Sequence, residues 1–238
     1  MSKQSSIHLL NEVTCPNCWK KFSPESLLAI SGHSELQGDP RLEASQEGRR
    51  FLPTRFTPDC AALDIKDIAT FELACPHCHL VVPRVILERS DTIFLSLFGR
   101  TSAGKSFYLA SLAQQLQNAF PQRFGLAATE PHPPSNKLIR EYRNAVFHTP
   151  DPNALVTIPA TNPTGNKHYQ GVRIPGDVLN YPRPIFYQLS PTGTHPKARS
   201  QKKHARTLCL YDNAGEHFTP EWASSIQPET EHLSRSSA

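Results

Sequence analysis

The chain has 238 residues, 38% of them hydrophobic and 19% charged, enough apolar material for one medium domain with an appendage or for two small domains. Lys and Arg number 25 against 21 Asp and Glu, so charge neither forces disorder by self-repulsion nor demands a nucleic-acid partner. The 22 prolines predict long irregular stretches.

The start, MSKQSSIHLLNEV, lacks the apolar segment of an export signal, and the longest apolar runs, VVPRVIL and TIFLSLFG, fall far short of the ~18 residues of a membrane span. Both absences point to the cytoplasm. The cysteines fit that setting. Four form two CxxC pairs, Cys15/Cys18 and Cys75/Cys78, while Cys60 and Cys209 stand alone. Without an export signal, paired CxxC reads as metal ligation before a disulfide framework.

In chain order, residues 1–90 carry the cysteine pairs around a stretch of no clear period. A two-residue spacer lets both sulfurs of each pair face one tetrahedral ion, and Pro16 and Pro76 pre-bend the turns. Four thiolates leave no position open for water, which makes the expected Zn²⁺ structural. A redox dithiol or an iron–sulfur cluster is the alternative. His77 and His79 are expected at the surface rather than as ligands, and Trp19 over the metal site.

Residues 91–120 read as strand, glycine turn and helix. Ile93, Phe94, Leu95, Leu97 and Phe98 predict a buried strand ending at Gly99. Leu109, Leu112, Ala113, Leu116, Ala119 and Phe120 recur at helical spacing from Lys105, and Pro121 is expected to stop the helix. Residues 121–182 are rich in Pro, Asn, Thr and Gly and carry one short helical piece, KLIREYRNAVF. From 183 to 217 the pattern is a hairpin, RPIFYQLS and ARTLCLYD, joined by TGTHPKARSQKK. That connection and its flanks (Arg183, Lys197, Arg199, Lys202, Lys203, Arg206) are basic, most simply a solvated loop, and lack the interleaved aromatics of single-strand nucleic-acid binding.

Between strand and helix, Gly99-Arg100-Thr101-Ser102-Ala103-Gly104-Lys105-Ser106 satisfies G-x-x-x-x-G-K-[ST]. The glycines let consecutive N–H groups turn inward at phosphate oxygens, and the helix start adds to that field. Lys105 is expected to reach the β- and γ-phosphates and Ser106 to ligate Mg²⁺. At the end of the last strand, Asp212-Asn213-Ala214-Gly215 supplies an acid for the Mg²⁺ side and a glycine whose neighbouring N–H can approach the γ-phosphate.

FGRTSAGKS followed by LYDNAGE resembles the first and third motifs of GTPases of the translation-factor and Ras-like class. With CPNC and CPHCH upstream, the chain is most similar to bacterial double-GTPase-like domains fused to a zinc ribbon. The resemblance implies an α/β P-loop NTPase fold, G-domain-like and truncated at its C-terminus, over residues 91–238, behind a zinc-ribbon region over 1–90. It implies GTP binding with Mg²⁺ and slow hydrolysis as a switch, with a protein partner met through the ribbon or the switch region. Lys105 and Ser106 then serve phosphate and Mg²⁺, Asp212 the Mg²⁺ side, and Gly215 the γ-phosphate. Glu216 stands where Ras-like enzymes place a water-orienting glutamine, with His217 as a second candidate. Thr157, Thr161 and Thr164 compete for the switch threonine. No N-K-x-D motif follows Gly215, so the base reader is absent and an ATPase of the same fold is the rival, beside a non-hydrolysing zinc-ribbon scaffold. The 23 residues after Gly215 are too few for the later strands of a G domain, leaving a sheet of three strands with an open edge.

Overall fold

Short strands punctuated by tight turns open the chain, and longer ones alternate with helices after residue 90. The computed structural model describes residues 10–43, 47–87, 91–151, 153, 155–161 and 167–214. Two units divide it: Met1–Ser90 with Gly171–Val178, and Asp91–Gln170 with Leu179–Ala238.

In the first unit the strands are two or three residues long: β1 (Val13–Thr14), β2 (Lys21–Phe22), β3 (Leu28–Ile30), β4 (Arg50–Phe51), β5 (Ala62–Leu63), β6 (Ala69–Thr70) and β7 (Leu73–Ala74). β1 pairs antiparallel with β2 around the first CxxC turn. β3 lies between β4 and β7, antiparallel to both, and β7 leads directly into Cys75. β5 and β6 form a separate hairpin. Val85, Ile86 and Leu87 on a 3₁₀ turn bury apolar surface beneath these small sheets' share of the chain. Strands this short hold few ladder bonds, so the unit depends on what ties its loops together.

The second unit runs β8 (Asp91–Ser96), α1 (Lys105–Phe124), β9 (Leu126–Thr129), α2 (Lys137–Phe147), β10 (Tyr169–Ile174), β11 (Asp177–Pro182), β12 (Ile185–Pro191), α3 (Gln201–His204) and β13 (Arg206–Tyr211). β10 and β11 form a hairpin whose tip, Gly171–Val178, groups with the first unit. The main sheet has the order β8-β13-β12-β9. β13 is parallel to β8 and antiparallel to β12, as expected of a hairpin that returns beside the first strand. Leu109, Ala113 and Leu116 of α1 and Ile139 and Tyr142 of α2 pack on Ile185, Tyr187 and Leu210 of the sheet. Buried Asn136, ahead of α2, fastens that layer: its Nδ2 donates to Phe186 O at 2.7 Å and its Oδ1 accepts from Phe186 N at 2.9 Å.

Several sequence expectations need correction. β8 stops at Ser96, and Ile93 and Leu95 are 49% and 37% exposed rather than buried. Among the described strands β8 is at the sheet's edge, while the helical layer centres on β12 and β13. Phe107 and Tyr108 are likewise exposed, not core. Pro121 does not end α1, because in the last turn the lost N–H costs a single bond. Gly125 ends it instead, in the left-handed region at φ 61°, its N–H on Phe120 O. Phe120 and Phe124 stack edge to face across that turn. The sheet has a fourth strand, β9, on the β12 side, and the Pro-rich region contains the β10–β11 hairpin.

Candidate functional site

The parallel register sets the phosphate loop. Tyr211 pairs with Ser96, so β8 and β13 end level, and the residues that follow each strand emerge side by side at the carboxyl edge of the sheet. From β8 the chain turns through Gly99–Ser106 into α1. Gly99 (φ 149°) and Gly104 (φ 82°) adopt backbone open to glycine, and Ser102 (φ 63°) joins them. Gly104 is the N-cap of α1 and no side chain caps that end, which leaves the first-turn amides to an anion. Lys105 folds back over the loop, donating from Nζ to Gly99 O at 2.8 Å and to Arg100 O at 3.0 Å. Arg100, Thr101, Ser102 and Ala103 are exposed around it.

From β13 the chain delivers Asp212, buried at 5% exposure. Its Oδ2 accepts from Ser106 Oγ at 2.8 Å and from Thr161 Oγ1 at 3.0 Å. Its Oδ1 is buried with no hydrogen-bond partner among the described residues. Burial pushes the Asp212 carboxyl above the usual carboxylate range, opposed by the Ser106 and Thr161 hydroxyls and by the charges of His168 and Lys105. A buried carboxylate with one oxygen orphaned and two hydroxyls on the other is a donor set of hard oxygens suited to a small divalent cation, and Mg²⁺ fits its chemistry. Among the three candidate threonines, Thr161 is on Asp212, Thr157 is exposed, and Thr164 lies outside the described residues. Gly215, Glu216, His217 and Trp222 lie outside them too.

The four paired cysteines meet in the first unit. Their sulfurs all lie within 4.8 Å of one another, and each crosswise pair, Cys15 with Cys78 and Cys18 with Cys75, is separated by 3.8 Å. A tetrahedron with Zn–S bonds of about 2.3 Å has edges of about 3.8 Å, so the set fits zinc. The two knuckles repeat one geometry. Trp19 N donates to Cys15 O and His79 N to Cys75 O, Cys15 N to Lys20 O and Cys75 N to Leu80 O. Trp19 and His79 both sit at positive φ, 60° and 62°. Backbone amides then aim at sulfur, Asn17 N at Cys15 Sγ (3.4 Å) and His77 N at Cys75 Sγ (3.3 Å). Burial pushes the Cys15 and Cys78 thiols up, while hydrogen bonds from the other cysteines, Cys15 first, hold Cys18 and Cys75 down. A dication between them resolves that conflict by favouring all four thiolates.

Trp19 is buried beside its knuckle, as expected. His77 is exposed, its Nε2 at 3.2 Å from Lys21 O, and His79 sets Nδ1 at 2.8 Å from the buried Asp39 carboxylate. Cys60 is exposed and outside the cluster. Cys209 is packing: its thiol, pushed up to about 12 by burial, donates to Tyr211 Oη.

Three residues near Asp212 escaped the sequence. Tyr142 Oη and His168 Nε2 are 2.7 Å apart and both side chains are buried, and Tyr169 Oη accepts from Ala214 N at 3.0 Å, bracing the chain just beyond Asp212. A phosphate-loop pattern carries no mark for them, since they come from α2 and the foot of β10. Among the described residues no helix is long and apolar enough to cross a membrane. Compared with known protein families, curated proteins and solved structures, the chain matches none.

Proposed function

We propose that the chain is a P-loop nucleotide-binding protein of GTPase-like organisation, taking a nucleoside triphosphate with Mg²⁺ and hydrolysing it slowly as a switch, beside a structural zinc site that serves a protein partner. The observation that carries this reading is the convergence of Ser106, Asp212 and Thr161 at the mouth of a glycine-bounded loop whose helix start is uncapped. The strand order supports it: β13 lies between β8 and an antiparallel β12, the arrangement that the resemblance to Ras-like domains implies.

Each group has a task that follows from its chemistry. The loop amides and the α1 N-terminus bind phosphate oxygens without charge of their own to neutralise. Lys105, held over the loop by two carbonyls, exchanges these for the β- and γ-phosphates, so little side-chain entropy is lost on binding. Ser106, Thr161 and Asp212 hold the cation, which when bound neutralises charge on the β- and γ-phosphates. Gly215 and Glu216, directly after this segment, are the residues for the γ-phosphate and the attacking water. Rate enhancement here comes from positioning and electrostatics rather than covalent chemistry.

Titration of the full chain with a fluorescent triphosphate, with Mg²⁺ and with EDTA, tests the reading. Saturable binding that Mg²⁺ strengthens is expected, and competition by GTP against ATP reads the base. Absence of binding at millimolar nucleotide overturns it in favour of a zinc-ribbon scaffold.

A further inference from the structure

Beside the proposed cation pole, α2 and the foot of β10 contribute a buried pair that the nucleotide motifs do not account for. Tyr142 Oη and His168 Nε2 are 2.7 Å apart, with side chains 3% and 6% exposed. The phenol is also a hydrogen-bonding neighbour of Ser106 and feels the charge of Asp212. Glu141 adds a second negative charge to the phenol, and Lys167 and Asp212 act on the imidazole from opposite signs. His168 is further fixed through its backbone, whose carbonyl accepts from Arg183 N at 2.8 Å.

The hydroxyl protons in this cluster have one consistent order. The Ser106 proton is committed to Asp212 Oδ2 at 2.8 Å, and Thr161 donates to the same oxygen. Ser106 Oγ therefore faces Tyr142 with lone pairs, and the phenol relieves that by donating to it. Tyr142 then needs a donor for its own oxygen, which His168 Nε2–H supplies. The chain His168 → Tyr142 → Ser106 → Asp212 runs one way, toward the carboxylate, and each link polarises the next.

Building on the proposed nucleotide site, we propose that Tyr142 and His168 are positioning residues for the divalent cation: they lock the Ser106 hydroxyl with its proton on Asp212 and one lone pair turned to the metal. A serine hydroxyl is a free rotor, and each alternative rotamer removes one ligand from the cation. The pair acts through Ser106 and touches neither phosphate nor metal.

The test separates this proposal from the reading beneath it. In the full chain, the affinity of a fluorescent triphosphate is measured in EDTA and across a Mg²⁺ titration for wild type, Tyr142→Phe, His168→Leu and His168→Gln. Wild type is expected to gain affinity with Mg²⁺. Tyr142→Phe and His168→Leu should keep the EDTA affinity and need about tenfold more Mg²⁺ for half the gain, and His168→Gln, whose amide N–H replaces Nε2–H, should recover most of it. A wild type indifferent to Mg²⁺ sinks the nucleotide-site reading. A Mg²⁺-responsive wild type matched by Tyr142→Phe and His168→Leu sinks the positioning role alone. A second measurement needs no variant to fold: ¹⁵N spectra of histidine-labelled wild type should show His168 as the Nε2–H tautomer, and an Nδ1–H tautomer overturns the proposal.

Discussion

Removing the metal from the cysteine cluster should unfold the first unit, and the size of the effect follows from the geometry. The sulfurs of Cys18 and Cys75, 57 residues apart in sequence, and of Cys15 and Cys78, 63 apart, face each other at 3.8 Å. A cross-link closing a loop of that length withdraws about 4 kcal/mol of chain entropy from the unfolded state. The sulfurs themselves add to this. At 3.8 Å two thiolates repel by about 4 kcal/mol at an effective dielectric of 20, so without a cation the four must take up protons in a site that buries them. Small domains are stable by only about 5–15 kcal/mol, and this unit's strands are two or three residues long. Loss of the metal is therefore expected to abolish the unit's cooperative fold rather than trim it. Elemental analysis should find about one zinc per chain, mercurial titration should release it as four thiols are consumed, and hydrogen exchange should then lose protection across β1–β7. Purified protein free of zinc, with the same exchange pattern before and after a strong chelator, would refute the reasoning; a broad absorption near 400 nm would replace zinc by an iron–sulfur cluster.

Three further outcomes are expected. Lys105→Ala removes the ammonium that the loop carbonyls hold in place, and nucleotide affinity should fall by at least about a hundredfold in fluorescence titration with the melting temperature unchanged. Asp212→Asn should raise the melting temperature of the metal-free protein at neutral pH. Burial lifts this carboxyl's folded value above its ordinary 3.8, so its contribution is complete below that value and is lost as pH rises through the folded one; the variant's advantage should therefore grow from about pH 4 upward, and a pH-independent difference would contradict it. Asn136→Ala leaves the Phe186 N–H and C=O unpaired between α2 and β12, and chemical denaturation should show a loss of about 2–4 kcal/mol.

How far the sequence could be read depended on whether a feature was written locally. The phosphate loop and the cysteine knuckles are local: each is a short turn whose glycines, prolines or sulfurs must occur at fixed spacing, and both stand where the pattern put them. The β12–β13 hairpin was legible for the same reason, since two apolar runs flank one polar connection. β9 was not, because Leu126–Thr129 is short, lacks a β-branched run and exists through its pairing with β12. The β10–β11 hairpin did carry a signal, Pro175-Gly176 with Gly176 at φ 85°, hidden among many other prolines. The exposure of Ile93 and Leu95 could not be read from an apolar run, which records hydrophobicity but not whether a helix lies over that strand.

The surroundings of Asp212 make the same point at the level of chemistry. Its own position follows from one register: β13 parallel to β8 with Tyr211 opposite Ser96 forces the next residue to emerge beside the phosphate loop. Ser106 reaches it from the first turn of α1, a fixed distance along the motif. Thr161, Tyr142 and His168 come from segments between the motifs, with no spacing rule linking them to either. Thr157 and Thr161 are equivalent in sequence and differ only in what the chain path sets beside them. A buried carboxylate constrains that path, since each of its oxygens costs free energy until something donates to it or a cation meets it. Oδ2 has taken Ser106 and Thr161, while Oδ1 has taken nothing among the described residues, and that asymmetry is what distinguishes a site built around a cation from a polar network closed on itself.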